Sequence, residues 1–358
     1  NIGSQTGRLY IFELNGAGTD YTVSYQWSPS LSSNRIGFDN RENLIDISDD
    51  GTRIILGENN NNANEAKKMS GKVHVFEKAS GSWSLTKTFE GDNASQRQYF
   101  CAISGDGSTI VTGFDSNSFA GHLRVYSYDG TNWTQKGSDI TNNNATNNQK
   151  FGKSLDINHD GSRVAGGATG QSPDLFVAVY EYINNSWTQN GSNIAYTLNN
   201  GENHGRRIRL NGLGNRIAIS QDNYSEPGYG SNNPGNQNEG RIVIYDYDGT
   251  SWTQHSVIRN IHSEYNENFG WTMSMSSDGT RIVLGHEKRD VNAQDDGAVY
   301  IYKLDGTTWS LEDGEKVGDK QGDKLGHHVY MSGDGKWVIA GSKDANNDDG
   351  LVRVYKLS

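Results

Sequence analysis

Six copies of one short segment recur along the chain, and they constrain its fold more than any other feature. Each copy has alternating apolar residues, then a turn glycine, then an apolar run, as in DISDDGTRIILG at 46–57. The turn glycines are Gly51, Gly107, Gly161, Gly214, Gly279 and Gly335, at successive spacings of 56, 54, 53, 65 and 56 residues. A period near this length is typical of chains built from equivalent packed units.

Each repeat predicts an antiparallel meander of four short strands, A to D. The glycine turn joins strands A and B, because it supplies the positive φ that tight hairpins require. Strand C usually opens with Gly, and a seventh C-like segment lies at 7–12. Strand D begins near a tryptophan, and we expect these tryptophans to pack between units. They are Trp83, Trp133, Trp187, Trp252 and Trp309.

The pattern predicts an all-β chain that forms one β-propeller domain over residues 1–358, because propellers repeat a four-stranded antiparallel blade. A β-sandwich is the alternative, but it does not normally need six near-copies of one meander. Six blades are favoured over seven, with the units at approximately 36–90, 97–140, 149–196, 203–258, 267–315 and 324–358. The last unit lacks a strand D, so we expect the N-terminal strands within 7–27 to close the ring by pairing 21–27 with 350–355.

Two Phe-Gly pairs open strand A, at Phe151-Gly152 and Phe269-Gly270, with looser versions at His204-Gly205 and Leu325-Gly326. Strand B usually ends in Gly, and strand C then begins with Gly before a V-x-V-Tyr-like run. This order resembles the FG-GAP repeats of integrin-α-type propellers, and more closely the DGxR[IV]xxG variety in large extracellular or virion-associated proteins. The resemblance covers nearly the whole chain and implies a propeller, but propellers host many functions.

Many members of that family bind calcium in the A to B turn, so the resemblance raises the possibility of metal sites. The nearest matches begin at Asp156 and Asp46, but Val164 and Ile54 occupy the final acidic position. Calcium requires about six or more oxygen ligands. We therefore expect ordinary hairpin turns, no metal ligands and no cofactor.

Charge and composition exclude several classes of function. The formal net charge of -11 argues against general binding to nucleic acid, which needs clustered Lys and Arg. No window approaches the roughly 18 apolar residues of a membrane-spanning helix, so we expect no membrane insertion. Cys101 is the only cysteine, which excludes an intrachain disulfide framework.

The two edges of the predicted blades differ. The A to B and C to D turns are short and stereotyped, whereas the B to C loops and the starts of strand A vary, and variable loops on rigid scaffolds carry binding residues. Aligning strand A on its turn brings basic and aromatic residues to one edge, as a pocket for an anionic or sugar ligand. The ligand-binding candidates are Arg41, Tyr99, Lys153, Arg206, Arg207, Trp271, His327 and His328. The alternative is that these residues merely fill the channel and pair with nearby carboxylates.

The leading functional prediction is a non-catalytic binding or structural module that engages a glycan or protein through the edge with the B to C and D to A connections. We expect the module to be extracellular, on a cell surface or on a virion surface. Its edge strands offer a possible means of assembly with other chains. The alternative is a polysaccharide lyase or hydrolase that uses Arg206, Arg207, His327, His328 and Tyr99. We assign no catalytic residue, and we expect the carboxylates of loop 286–296 to be solvated charges rather than a glycosidase or cation site.

Overall fold

The computed structural model describes residues 7–29, 34–36, 44–60, 70–92, 97–115, 120–145, 150–169, 174–197, 204–221, 224, 240–260, 269–345 and 350–358. The elements whose bounds it describes are all β-strands. The chain divides into two compact units, residues 1–155 and 156–358, and the boundary falls within a strand. The prediction of one propeller domain over 1–358 is not tested by this division.

The first unit begins with a two-stranded hairpin and continues into two larger sheets. The hairpin pairs β1 (Leu9–Leu14) with β2 (Tyr21–Trp27). The next sheet has the order β3-β5-β6-β7, with β4 also paired to β5, and the following sheet has the order β8-β9-β10-β11. These strands are β3 (Asn34–Ile36), β4 (Ile45–Ile47), β5 (Arg53–Asn60), β6 (Lys72–Ala79), β7 (Ser82–Glu90), β8 (Arg97–Ile103), β9 (Thr109–Asp115), β10 (His122–Tyr128) and β11 (Trp133–Gln135).

The remaining strands are β12 (Phe151–Ile157), in which the boundary falls, β13 (Arg163–Ala168), β14 (Asp174–Ile183), β15 (Ser186–Gln189), β16 (Ile194–Thr197), β17 (Ile208–Leu210), β18 (Arg216–Gln221), β19 (Arg241–Tyr247), β20 (Trp252–Arg259), β21 (Thr272–Met275), β22 (Arg281–His286), β23 (Ala298–Asp305), β24 (Thr308–Leu311), β25 (Lys316–Val317), β26 (Leu325–Met331), β27 (Trp337–Ser342) and β28 (Leu351–Lys356). Four further sheets result, with the orders β12-β13-β14-β15, β17-β18-β19-β20, β21-β22-β23-β24 and β26-β27-β28. The predicted four-stranded antiparallel meander is thus confirmed in five sheets, the sixth sheet shows its first three strands in the described residues, and the fold is an all-β propeller.

The A to B turns are hairpins stabilised by their own side chains. Gly51 adopts φ 67°, as the turn requires. The Ser48 hydroxyl donates to Asp50 at 2.6 Å and accepts from the backbone N–H of Arg53 at 3.0 Å. Asp50 also accepts from the backbone N–H of Thr52 at 2.9 Å. The carboxylate is therefore used to close the turn.

An arginine that four of the six repeats carry after the turn bonds its turn to the next one along the chain. Four arginines donate from a guanidinium to the carbonyl of the following turn glycine. These pairs are Arg53 with Gly107 at 2.9 Å, Arg163 with Gly214 at 3.3 Å, Arg216 with Gly279 at 3.0 Å and Arg281 with Gly335 at 3.2 Å. We call these four residues the clamp arginines. Each also pairs with a carboxylate on its own sheet, namely Glu77, Glu181, Asp246 and Glu312.

Glycines at the other edge allow neighbouring sheets of the second unit to approach closely. A Cβ on Gly285 would lie 2.1 Å from the Gly326 carbonyl oxygen, and a Cβ on Gly326 would lie 2.4 Å from the Ala298 oxygen. Gly326 also adopts φ 88°. A parallel bridge joins Gly297 to Leu325 at the same place. Gly285 at the end of one strand B and Gly326 at the start of the next strand A therefore both allow the same close contact between two backbones.

Apolar side chains between successive sheets form the core of each unit. In the second unit, Ile242 and Ile244 share a cluster with Tyr300 and Tyr302 of the following sheet. In the first unit, Leu9 and Ile11 of the hairpin pack with residues of the next sheet, including Phe76 and Trp83. Trp133, Trp252 and Trp309 also contact such clusters. The prediction that the repeated tryptophans pack between neighbouring repeats is confirmed for Trp83, Trp133, Trp252 and Trp309.

Strand D is continuous in some of the sheets and divided in others. β7 and β20 each pair along their full length with one register shift. In two later sheets, by contrast, β14 pairs with both β15 and β16, and β23 pairs with both β24 and β25. Gly191 at φ 77° and Gly314 at φ 68° lie at the two interruptions. A residue with positive φ turns the chain, so the predicted single strand becomes two.

The predicted pairing of 21–27 with 350–355 is wrong. β2 pairs with β1 in a separate two-stranded sheet, and in the described part of the chain β28 pairs with β27 at the end of a three-stranded sheet. The GRLYIF segment is the reason, because β1 provides a complete strand C partner for β2. The sixth sheet accordingly has no strand D among the described residues.

Candidate functional site

Five of the predicted ligand-binding residues lie together in the second unit. Arg206 and Arg207 immediately precede β17, Trp271 immediately precedes β21, and His327 and His328 lie in β26. With Glu287, which follows β22, they form what we call the Arg–Trp–His cluster. Its members come from three successive sheets at the edge where strand A starts.

Two guanidinium groups lie against one indole ring. The guanidinium carbon of Arg206 is 4.7 Å from the Trp271 ring centroid, and that of Arg207 is 5.2 Å away. The Arg207 guanidinium also donates to the Arg206 carbonyl at 3.1 Å. Arg207 is buried at 4% exposure, whereas Arg206 and Trp271 are partly exposed. Cation–π contacts of this kind hold an arginine in one orientation.

A histidine and a carboxylate form the other half of the cluster. Nδ1 of His327 lies 2.5 Å from Oε2 of Glu287, and both side chains are largely buried. The His327 and His328 rings meet edge to face with centroids 4.7 Å apart. A register shift between Leu325 and His328 marks a β-bulge at this point. Bulges re-aim side chains beside functional sites, and here one places consecutive histidines in the cluster.

Charges within the Arg–Trp–His cluster shift the pKa values of Glu287 and His328. Burial acts to raise the pKa of Glu287, but the hydrogen bond from His327 and the charges of His327 and Lys343 outweigh it and lower that pKa. Desolvation by the surrounding protein, together with the charges of His327 and Arg207, lowers the pKa of His328 to about 4, although part of the side chain reaches solvent. At neutral pH, Glu287 is therefore ionised and His328 is uncharged.

The other three candidate residues lie in the first unit or outside the described residues. Lys153 lies in β12 within the first unit and is partly buried. Tyr99 lies in β8, at a register shift between Gln98 and Phe100, and its side chain is outside the described residues. Arg41 lies outside the described residues altogether. Their predicted roles in ligand binding stay predictions.

The interpretation of loop 286–296 as solvated charge is wrong for the two carboxylates at its ends, Glu287 and Asp296. Glu287 is paired with His327, and Asp296 is fully buried. Asp296 accepts hydrogen bonds from the backbone N–H groups of Val291, Asn292 and Ala293 at 2.8–3.0 Å. These carboxylates organise the loop and the cluster. The alignment of strand A could not identify Glu287, because it comes from a B to C loop without a repeated pattern.

The aspartates at the calcium-like turns have structural partners. Asp46 accepts from the backbone N–H of Ile103 at 2.9 Å, and Asp156 accepts from that of Leu210 at 2.6 Å. Within the ranges that the structure describes, no group of three or more His, Cys, Asp or Glu side chains could hold a metal ion. In the same ranges, no helix has the length and apolar character needed to cross a bilayer.

No protein-family model matches the sequence, and no curated protein matches it. Solved structures do resemble it in fold. The Cps50 (Swd1) β-propeller domain of Myceliophteria thermophila aligns with 99% of this chain and 92% of its own, at 9% identity and a TM-score of 0.57. The periplasmic gluconolactonase of Pseudomonas aeruginosa aligns with 98% of this chain and 92% of its own, at 11% identity and a TM-score of 0.57. Identity this low shows the propeller fold alone.

Proposed function

We propose that this chain is a non-catalytic binding module that recognises an anionic glycan through the Arg–Trp–His cluster. The observation that carries the proposal is the placement of Arg206 and Arg207 against Trp271 in a protein with a formal charge of -11. As a finer identity we propose the DGxR[IV]xxG variety of FG-GAP propeller, because the repeat motif extends through the chain.

The chemistry of the cluster suits a carboxylate or sulfate on a sugar. A guanidinium presents paired N–H donors that match the two oxygens of such a group, and a neighbouring aromatic ring provides a face for the apolar side of a sugar. Stacking on Trp271 restricts the arginine side chains before binding. Less conformational entropy is then lost when the ligand arrives.

The cluster favours a module over a lyase or hydrolase. Nδ1 of His327 is held by Glu287, and a carboxylate at this nitrogen orients histidines in catalytic and structural sites alike, so the choice rests on the arginines and the indole. Arg206 and Arg207 are likewise packed on an indole. Guanidinium donors fixed beside an aromatic face suit the binding of an anionic sugar, and this part of the cluster favours a binding module.

A binding assay with matched variants tests the proposal. The purified protein is applied to an array of sulfated, uronic acid and neutral oligosaccharides, and dissociation constants are measured for hits. Arg206→Ala and Trp271→Ala should each weaken binding at least tenfold, while Arg259→Ala, which removes an exposed arginine of β20, should not change it. Equal affinity in all three variants would place the site elsewhere. Turnover of a bound oligosaccharide would favour the enzyme.

The proposed setting is an extracellular, cell or virion surface. Six N-x-S/T sequons support it, at Asn93, Asn132, Asn144, Asn184, Asn190 and Asn223. Asn132 and Asn184 are exposed, whereas Asn190 is 6% exposed. Expression in a secreting eukaryotic host should therefore yield a glycan on Asn132 or Asn184, detected as a mass loss after N-glycosidase treatment. An unmodified secreted protein would remove this support.

A further inference from the structure

Two lysines lie beside the Arg–Trp–His cluster of the second unit. Lys288 directly follows Glu287, and Lys343 directly follows β27. Glu287 and Lys343 each lie eight residues after a turn glycine, Gly279 and Gly335 respectively, so they occupy equivalent positions of adjacent sheets. The repeat therefore brings a basic residue next to the acidic residue of the cluster.

Strand pairing also places Lys343 close to the two histidines. β27 pairs with β26 so that His328 lies opposite Gly341, which is two residues before Lys343. Burial acts to raise the pKa of Glu287, and the charges of Lys343 and Lys288 are among the effects that lower it. Both ammonium groups are therefore near enough to the cluster to act on its charges.

Backbone hydrogen bonds hold Lys288 in a tight turn beside β26. The N–H of Arg289 donates to the carbonyl of His286 at 3.2 Å, across the turn that contains Lys288. The N–H of Leu325, the first residue of β26, donates to the carbonyl of Asp296 at 3.0 Å and joins the same loop to that strand. The flexible side chain of Lys288 therefore extends from a fixed piece of backbone.

The charges of these two lysines are not neutralised by nearby carboxylates. Lys324, by comparison, donates to Asp344 at 2.7 Å, so these two charges neutralise each other. Within the ranges that the structure describes, neither Lys288 nor Lys343 lies within ion-pair distance of a carboxylate. Lys288 is partly exposed and Lys343 is exposed. A chain with a formal net charge of -11 thus carries two unpaired cations beside a pair of arginines.

We propose that Lys288 and Lys343 form a second cationic subsite, which makes the ligand a glycan chain with negative groups on successive sugars. The inference rests on the proposed function, in which one acidic sugar binds at Arg206 and Trp271. A lysine ammonium is a compact charge on a flexible stem, so it accepts a sulfate or carboxylate at more than one position. A second charged sugar of the same chain binds without a second association step, which adds affinity.

Two tetrasaccharides of the same sugars test the subsite, one with a single sulfate and the other with a sulfate on every sugar. Dissociation constants are measured by calorimetry. Wild type should bind the fully sulfated form about tenfold more tightly, and Lys288→Ala and Lys343→Ala should each reduce that preference to about threefold. The double variant should abolish the preference. Arg206→Ala should weaken the binding of both tetrasaccharides by the same factor.

Two further variants separate the role of charge from any effect on folding. Lys343→Arg keeps the positive charge and should keep the preference for the fully sulfated form. Lys336→Ala is the matched control, because it removes a lysine that is 63% exposed in the A to B turn at the opposite edge of the sixth sheet. It should leave both dissociation constants unchanged. Thermal melts should agree for wild type and all of these variants.

Other probes decide whether the ligand is a charged glycan. Tripolyphosphate, a polyanion without a sugar, should bind more weakly than the fully sulfated tetrasaccharide, and equal affinity would overturn the assignment to a glycan. A uronic acid monosaccharide and its tetrasaccharide are compared in the same way as the sulfated pair.

The outcomes distinguish this inference from the proposed function. Equal affinity of wild type for both members of each pair would overturn the second subsite and leave the proposed function intact. Lysine variants that weaken the two sulfated forms equally would also contradict the subsite. If wild type binds none of these saccharides, the proposed function fails and the inference fails with it.

Discussion

The A to B turns and the Arg–Trp–His cluster both use arginine in the second unit, but in opposite ways. At the turns, Arg163, Arg216 and Arg281 repeat in register, and each bonds to a backbone carbonyl of the next turn. In the cluster, Arg206 and Arg207 have no counterparts in the repeat and lie on an indole ring. The first set joins sheet to sheet, and the second set forms a surface of mixed charge and aromatic character.

A repeat protein of this kind keeps the contacts that stabilise it apart from the residues that recognise a ligand. A contact between backbone and a repeated side chain can recur at every sheet, because every sheet offers the same carbonyl. A ligand requires one local combination of groups, which the repeat cannot supply. A position of the repeat that carries a different residue in each copy therefore indicates a binding site better than a position that is the same in every copy. The strand A position occupied by Lys153, Arg206, Trp271 and His327 is of this kind.

The largest effect should come from the backbone contact at Gly326. In Gly326→Ala, the Cβ would lie 2.4 Å from the Ala298 oxygen at φ 88°, so the sheets must separate. We expect a loss of more than about 3 kcal/mol in unfolding free energy, or no soluble protein. Gly306→Ala is the control, because Gly306 has φ 60° with nothing within 4 Å of a Cβ, and it should cost only about 1–2 kcal/mol. Equal losses in urea denaturation would contradict the role given to close approach.

Removing a clamp arginine should cost less, and its cost should depend on pH. Arg216→Ala leaves Asp246 and the Gly279 carbonyl without their donors, so we expect a loss of about 2 kcal/mol at pH 7. The hydrogen bond from Arg216 lowers the pKa of Asp246 below its ordinary value of 3.8. The contribution is therefore present above pH 3.8 and is lost as the pH falls through the lowered pKa.

Urea denaturation at pH 7 and pH 3 measures this dependence. The free energy of unfolding should differ less between wild type and Arg216→Ala at pH 3 than at pH 7. Arg259→Ala should have the same free energy of unfolding as wild type at both pH values. A difference that is the same at both pH values would mean that the ion pair with Asp246 contributes little.

Much of the fold could be predicted from the sequence because its determinants are local. The positive φ of Gly51 and its five equivalents, and the apolar alternation on either side, specify hairpins without knowledge of distant residues. The division of strand D could also have been predicted from Gly191 and Gly314. The pairing of the N-terminal strand was mistaken, because a segment such as 21–27 fits more than one edge and only three-dimensional packing selects among them.

The cluster was only partly predictable. Register along strand A correctly brought together Arg206, Trp271 and His327, since equivalent positions in adjacent sheets lie side by side. Glu287 was missed because its loop follows no period. The clamp role of Arg53 and its equivalents was also missed, because its carbonyl acceptor lies 54 residues away in sequence and has no side-chain signature.

His204 brings a titratable group to a repeated core position, where Phe151 and Phe269 are the equivalents. Burial lowers its pKa to about 4, well below the ordinary 6.5. Nε of Arg241 donates to the side-chain oxygen Oε1 of Gln221 at 2.5 Å, and Nε2 of Gln221 donates to Nδ1 of His204 at 2.9 Å, which holds the ring in its neutral form. The unfolded chain therefore binds a proton more readily than the folded one between pH 6.5 and about 4.

Stability should consequently fall as the pH drops, by about 2 kcal/mol between pH 7 and pH 5 from this residue. Thermal melts of wild type should show the fall, and His204→Gln should have a flatter profile even if it is less stable at pH 7. His159→Gln, at an exposed turn position, is the control and should keep the wild-type profile. Parallel profiles for wild type and His204→Gln would contradict the assignment.

The smallest effect on stability should come from the Arg–Trp–His cluster itself. Arg206 is partly exposed, and the contact of its guanidinium with Trp271 contributes only about 0.5–1 kcal/mol at such a site. Arg206→Ala should therefore unfold within about 1 kcal/mol of wild type, whereas Arg216→Ala loses about twice that or more. The two variants remove the same side chain from adjacent parts of one sheet, so the comparison isolates position from chemistry. A loss at Arg206 as large as that at Arg216, measured by urea denaturation at pH 7, would mean that the cluster supports the fold and that its variation does not mark a binding surface.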